Sequence, residues 1–411
     1  MIEKLYLLGL FLLLLGACNS SDDPVSNLGE VRITAEAQPA ITTTVPISEV
    51  DMDTREPPPV PSPLPTVTAA MAAGTEPISF PADDERIRYI GRFDFQDPLE
   101  PAFDWSGSAI EFAFSGMSLT IVLEDGRNSY NVTVDDQRQV LETEMGVEHY
   151  LFADDLQPGE HLFRLSKRTE AYVGAAVFKG LQISGGDLQQ PPAGAKRRLE
   201  FIGDSITTGY GNEGQSADCW FTPQTQNAEK SYAAFTAEGL DAEYTLIALS
   251  GLGVVRNLGQ DTAVSSQTAI DYVERALGLN PFIIWPADRG IPDAVIINLG
   301  TNDYSSVPFP EEEGFIEAYM ELLQAVRERY PQAFIFTVAG PLMLEPAPRV
   351  IEVAVERFRA AKDDDLLKYV LIEDNLEPSA EDFGCDWHPN VNGHGKIASQ
   401  LMPVIADQLG W

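Results

Sequence analysis

Three short polar segments carry residue types able to do covalent chemistry: Gly203-Asp-Ser205, Asn298-Leu-Gly-Thr-Asn-Asp303 and Asp386-Trp-His-Pro389. A serine hydroxyl is a poor nucleophile until a base takes its proton, and His388 is the candidate base for Ser205. Asp386 can in turn hold the imidazole in one tautomer. Negative charge that develops on a carbonyl oxygen under attack needs preorganised donors, which backbone N–H groups and an Asn302 amide can supply. Each segment also has an ordinary reading: Ser205 as a helix cap, His388 as a surface-loop residue, Asp204 and Asp303 as braces of tight turns. The three together point to catalysis.

The elements that must bring these residues together are legible as pattern. Apolar strands read at 198–202, 244–248, 294–298, 333–338 and 369–372, with amphipathic helices between them. One helix carries Phe315, Ala318, Tyr319, Leu322, Leu323 and Val326 along a single stripe. Strands alternating with helices build a parallel sheet covered on both faces, and ligands in such sheets sit at the carboxyl ends of the strands. Ser205, Ser250-Gly251 and Asn302 each follow a strand, so three strand ends supply polar groups to one rim. The glycines of Gly203-Asp-Ser205-Ile-Thr-Thr-Gly209-Tyr-Gly211 suit a sharp strand-to-helix turn that exposes the hydroxyl. Upstream, short stretches alternate with period two, as in 109–114, 119–123, 130–134 and 159–165, which indicates two packed β-sheets.

In this order and company, Ser205, a glycine near 251, Asn302 and His388 resemble the four signature residues of the SGNH/GDSL hydrolases. The Asp386-Trp-His-Pro389 spacing, a sandwich ahead of the hydrolase, Gly91-Arg92, the 103–110 segment, Lys167-Arg-Thr-Glu170 and Arg256-Asn257 resemble carbohydrate esterase family 2. The resemblance implies an α/β fold: a three-layer α/β/α domain with a parallel sheet over 195–411, preceded by a β-sandwich jelly roll over 81–190. It implies a serine esterase that removes O-acetyl groups from xylan- or mannan-type polysaccharides through an acyl-enzyme on Ser205. It assigns the oxyanion hole to the N–H groups of Ser205 and Gly251 and the side-chain amide of Asn302, with Gly253 as a rival for the middle position. The usual SGNH acid lies three residues before the histidine, where this chain has Cys385. Asp386 therefore acts either by its carboxylate or by its backbone carbonyl. Family members carry cysteines at both positions 219 and 385, and exported cysteines tend to pair, so a Cys219–Cys385 disulfide pinning the histidine loop is expected. Trp387 stacks a sugar ring or is buried beneath the site. Trp105 is a sugar platform or, better, core or interface. Arg256 and Asn257 are structural or, second, contact substrate.

The N-terminus reads as an address. Lys4 precedes an apolar run, and the ending Leu15-Gly-Ala-Cys18 resembles a bacterial lipobox. Cleavage would leave a signal peptide of 1–17 and a lipid on Cys18, with an outer-membrane anchor because Asn19 rather than Asp follows. Residues 18–80 are rich in Pro and Thr and read as an extended tether. With 63 acidic against 27 basic residues, the net charge is −36, which argues against nucleic acid and anionic membrane surfaces as partners. Three cysteines and four histidines are little material for a metal cluster, and no metal or other cofactor is expected. Two other readings remain: a lipase-like or thioester hydrolase, disfavoured for want of a long apolar lid, and an inactive sugar-binding lipoprotein. Asn131-Val-Thr133 fits a glycosylation acceptor only by its letters.

Overall fold

A computed structural model describes residues 76–411, except 192 and 378. The signal segment, Cys18 and nearly all of the tether lie outside the described residues. The strand Ile78–Phe80 already pairs with Ala176–Ser184, so the ordered sandwich begins just inside the stretch read as tether.

Two antiparallel sheets form the first domain. One orders Ile78–Phe80, Ala176–Ser184, Ser118–Gly126 and Met145–Ala153. The other orders Leu188–Gln189, Ala109–Ser115, Glu160–Lys167, Ser129–Val134 and Gln137–Glu142. In Ser118–Gly126 the alternate residues Leu119, Ile121 and Leu123 point inward, as period two requires. They meet Ile110, Phe112, Phe114 and Phe163 of the facing sheet in one core. The opposite face of that second sheet is polar because it is an interface. Arg88 pairs with Glu243, Arg164 with Glu229, and Arg168 with Glu213. The Asn131 amide donates to Asn227 and Glu229 of the second domain, so it is a docking group. Trp105 is buried with Ala171 against the hydrolase core, which makes it interface rather than an exposed platform.

The second domain contains a five-stranded parallel sheet. Its strands are β1 (Arg197–Gly203), β2 (Ala242–Ala248), β3 (Ala294–Asn298), β4 (Phe334–Ala339) and β5 (Leu367–Leu371), in spatial order 2-1-3-4-5. Both faces are covered. Ile202, Ile247, Val295, Ile297 and Ile335 pack under α3 (Glu312–Arg329) and α4 (Ala347–Lys362). Phe201, Leu246, Ile296 and Phe336 pack under α2 (Tyr232–Gly239) and α5 (Val391–Leu409). Burial on both sides explains why the central strand Ala294–Asn298 reads as a near-continuous apolar run. Truncating one of these side chains to alanine should cost about 2–5 kcal/mol. The register sets the functional rim: Gly203 of β1 lies level with Ala248 of β2 and Asn298 of β3. The chain leaves all three strands at one height, and the candidate residues follow within four positions. No helix among the described residues is long and apolar enough to cross a membrane.

Candidate active site

β1 ends in the turn that carries Ser205. Asp204 caps the one-turn helix α1 (Ser205–Thr208), with its Oδ1 accepting from the Ile206 N–H at 3.0 Å. Gly209 closes the turn at φ 75°, a left-handed conformation that glycine adopts without strain. At Gly211, a Cβ would stand 2.9 Å from the carbonyl oxygen of Cys385, so only glycine lets this loop touch the loop of the base. The Cys385 N–H donates to the Gly211 carbonyl at 3.0 Å and joins the two.

His388 Nε2 lies 2.8 Å from Ser205 Oγ, and Nδ1 lies 3.0 Å from the backbone carbonyl of Asp386. A carbonyl can only accept, so Nδ1 carries the proton and Nε2 is free to accept the serine hydroxyl. Burial holds the imidazole below its ordinary value of 6.5, opposed by the Asp386 carbonyl and charge. The carboxylate of Asp386 does not face the ring as a triad acid would. Its Oδ2 accepts from the Tyr210 hydroxyl at 2.9 Å and the Phe221 N–H at 3.0 Å. Positive φ at Asp386 (52°) and Trp387 (57°) curls the chain so that carbonyl 386 meets the ring two residues on. Of the two roles left open for Asp386, the geometry shows the backbone one.

The loop carrying His388 is fastened at several points. Cys219 and Cys385 form a disulfide. The Asp386 N–H donates to the Cys219 carbonyl, and the Trp387 N–H to that of Ala217. Tyr210 stacks on Phe221 at 4.1 Å between ring centroids and lies 4.4 Å from the His388 ring. Asn390 caps α5 directly after the histidine, accepting from the N–H groups of Asn392 and Gly393. Trp387 is 52% exposed, so it is open to solvent beside the base rather than buried beneath the site.

Two donors of the expected oxyanion hole stand ready. The N–H groups of Ser205 and Gly251 have no acceptor among the described residues. The rival Gly253 N–H is committed to Asn257 Oδ1 at 2.9 Å, whereas the Gly251 N–H is not so engaged. The Asn302 amide donates to the Leu252 carbonyl at 2.8 Å and, more weakly, to Asp204 Oδ2 at 3.2 Å. The shorter bond goes to a main-chain carbonyl and the longer one to the carboxylate beside Ser205. Asp204 is pushed up to about 7 by burial, with Asp303 and Glu170 adding to the effect. Asp303 binds the N–H groups of Val254, Val255 and Arg256 and so shapes the loop after β2. The buried Arg256 spends its guanidinium on the carbonyls of Gln260, Thr262 and Ser306. Among the described residues, no group of three His, Cys, Asp or Glu side chains is placed to hold a metal ion. Sequence reasoning missed two contributors. Tyr210 lies inside the quoted Gly209-Tyr-Gly211 signal, and Glu170 ends the quoted Lys167–Glu170 run.

Comparisons with known proteins agree with this architecture. Residues 89–192 match the family model described as carbohydrate esterase 2 N-terminal, and 201–396 match the GDSL-like lipase/acylhydrolase family. A family two carbohydrate esterase from Clostridium thermocellum, solved in complex with cellohexaose, is 34% identical with a TM-score of 0.73; the match covers 79% of this chain and 99% of that one. A cellulase/esterase of Acetivibrio thermocellus is 34% identical over 80% of this chain, which spans 40% of that relative's length. An acetylxylan esterase/glucomannan deacetylase of Cellvibrio japonicus is 28% identical over 76% of this chain and 87% of its own.

Proposed function

The chain belongs to carbohydrate esterase family 2, and on that premise we propose that it is a serine esterase removing O-acetyl groups from xylan- or mannan-type polysaccharides. One observation carries the reading: Ser205 Oγ sits 2.8 Å from an imidazole nitrogen whose partner nitrogen is already engaged. His388 takes the hydroxyl proton as Ser205 attacks the acetyl carbonyl carbon. The oxyanion is held by the N–H groups of Ser205 and Gly251 and the amide of Asn302. Collapse breaks the bond to the sugar oxygen, which leaves with the proton from His388. A water molecule, deprotonated by His388, then attacks the acetyl-serine; the bond to Ser205 Oγ breaks, acetate leaves, and His388 returns the proton to the serine oxygen. The cellohexaose held by a 34% identical relative supports a polymeric sugar substrate. The exposed Trp387 beside the base offers an apolar ring face to a sugar. The Leu15-Gly-Ala-Cys18 ending supports export and lipid attachment at Cys18, which would anchor the enzyme to the outer membrane. Mass spectrometry of the N-terminal peptide from cells, beside Cys18→Ala, tests the anchor.

Acetate release from acetylated xylan and acetylated mannan, by the protein and its Ser205→Ala variant, tests the activity. Release by the parent alone is expected, and its rates rank the two polymers. A folded parent that releases acetate from neither polymer, yet turns over an aryl acetate, would refute the substrate. A parent inert on all three would refute the reading.

A further inference from the structure

The loop after β2 that presents Gly251 is gripped from the other domain. Glu170, three residues beyond the sandwich strand Glu160–Lys167, is 3% exposed. Its Oε2 accepts from the Ser250 N–H at 2.7 Å, and its Oε1 accepts from the Ser250 hydroxyl at 2.5 Å. Its own N–H donates to Gln226 Oε1 at 3.2 Å, and Gln226 Nε2 reaches the Thr208 carbonyl in the nucleophile's turn at 3.4 Å. Behind it, the buried Lys167 ammonium donates to the carbonyls of Thr169 (2.8 Å) and Glu170 (3.2 Å) and to Thr169 Oγ1 (3.3 Å). Burial lowers that lysine to about 8 and raises Glu170 above its ordinary value, with the Ser250 bonds and Lys167 opposing the rise.

Burying a carboxylate this deeply is costly unless its acceptors are used. Both oxygens of Glu170 are spent on one residue, Ser250, which immediately precedes the oxyanion donor Gly251. Gripping residue 250 at both its backbone and its side chain fixes the peptide that points the Gly251 N–H. It also occupies the two other donors of that dipeptide, so neither can compete for the carbonyl oxygen of the substrate. Gly251 stands at φ 78°, and its carbonyl accepts from the Leu258 N–H at 2.8 Å, so the loop holds one side of this residue and Glu170 holds the peptide on the other.

We infer that Glu170 is a positioning residue for catalysis: a carboxylate of the β-sandwich that aims the Gly251 N–H at the developing oxyanion. The sandwich is then part of the catalytic apparatus, beyond any role in holding polymer. This rests on the serine-esterase reading above.

The test uses a small aryl acetate, which has no polymer to bind, and a small alkylboronic acid, which adds to an active serine as a tetrahedral anion. Misaiming one oxyanion donor should lower kcat of Glu170→Ala by about 10- to 100-fold, short of the ~10²–10³ for complete removal of a donor. KM should stay within about threefold, and the boronate inhibition constant should rise in step with the loss of kcat. Glu170→Gln can still accept from the Ser250 N–H and donate to its hydroxyl oxygen, so it should retain kcat within about fivefold. Glu170→Asp keeps the charge but falls one methylene short, and should behave like alanine. If Glu170→Ala fails to fold, the Gln and Asp pair carries the comparison. Alanine within twofold of the parent, Asp active where Gln is not, or lost turnover with unchanged boronate affinity would each overturn the inference. An active parent whose Ser205→Ala variant is inert keeps the serine reading intact in all those cases. An inert parent overturns both.

Discussion

Ser205 and His388 meet across 2.8 Å, yet different kinds of structure hold them there. The serine follows a buried parallel strand whose backbone pairs with neighbours on both sides. Its turn is the direct continuation of regular structure. The histidine sits in a loop with two consecutive left-handed residues, fastened by a disulfide, one carboxylate and several main-chain bonds. Regular structure places the nucleophile, whereas separate fasteners place the base. The nucleophile side should therefore fail all at once, and the base side by degrees.

The largest expected effect is on the nucleophile. Ser205→Ala should lower kcat on an aryl acetate by about three orders of magnitude or more, with folding unchanged by circular dichroism. Residual turnover within tenfold of the parent would contradict the assignment. Asn302→Ala should follow, with a loss of about 10²–10³ in kcat and little change in KM.

The fasteners of the base come next. Reducing Cys219–Cys385, or replacing both cysteines by serine, should lower stability by about 2–4 kcal/mol in denaturant titration. Because His388 lies three residues from Cys385, kcat should fall severalfold before the protein unfolds. An unchanged kcat at full reduction would show that the remaining bonds hold the loop unaided.

The pH profile reads the base directly. His388 must be neutral to accept the serine proton, and burial favours the neutral ring. kcat/KM should therefore rise with pH through an inflection below 6.5 and then level. An inflection above that value would mean that a nearby carboxylate stabilises the imidazolium, as a triad acid does.

The same contrast governs what could be read in advance. The central strand was legible because burial on both faces leaves a near-continuous apolar run, Ala294–Asn298, and the others by apolar stretches that alternate with helices. Ser205, Gly251 and Asn302 were legible because the chain's exits from such strands define a rim. The role of Asp386 was not. Its identity suggests a triad acid, and only the φ values of residues 386 and 387 decide that the carbonyl, not the carboxylate, meets the ring. Glu170 was opaque for another reason. Charged residues at the end of a strand look solvated, and nothing local announces that a second domain buries them. Trp105 shows the converse: of the two readings the sequence offered, the favoured one, core or interface, is where the side chain lies.

The most direct test of a base held by main chain is Asp386→Asn, read as kcat/KM on an aryl acetate. One carboxylate oxygen takes both the Tyr210 and Phe221 bonds, so an amide oxygen can replace it, and asparagine tolerates the left-handed conformation. Activity within about tenfold of the parent is predicted. A fall approaching the ~10⁴ seen when a triad acid is neutralised would contradict the account and return Asp386 to that role.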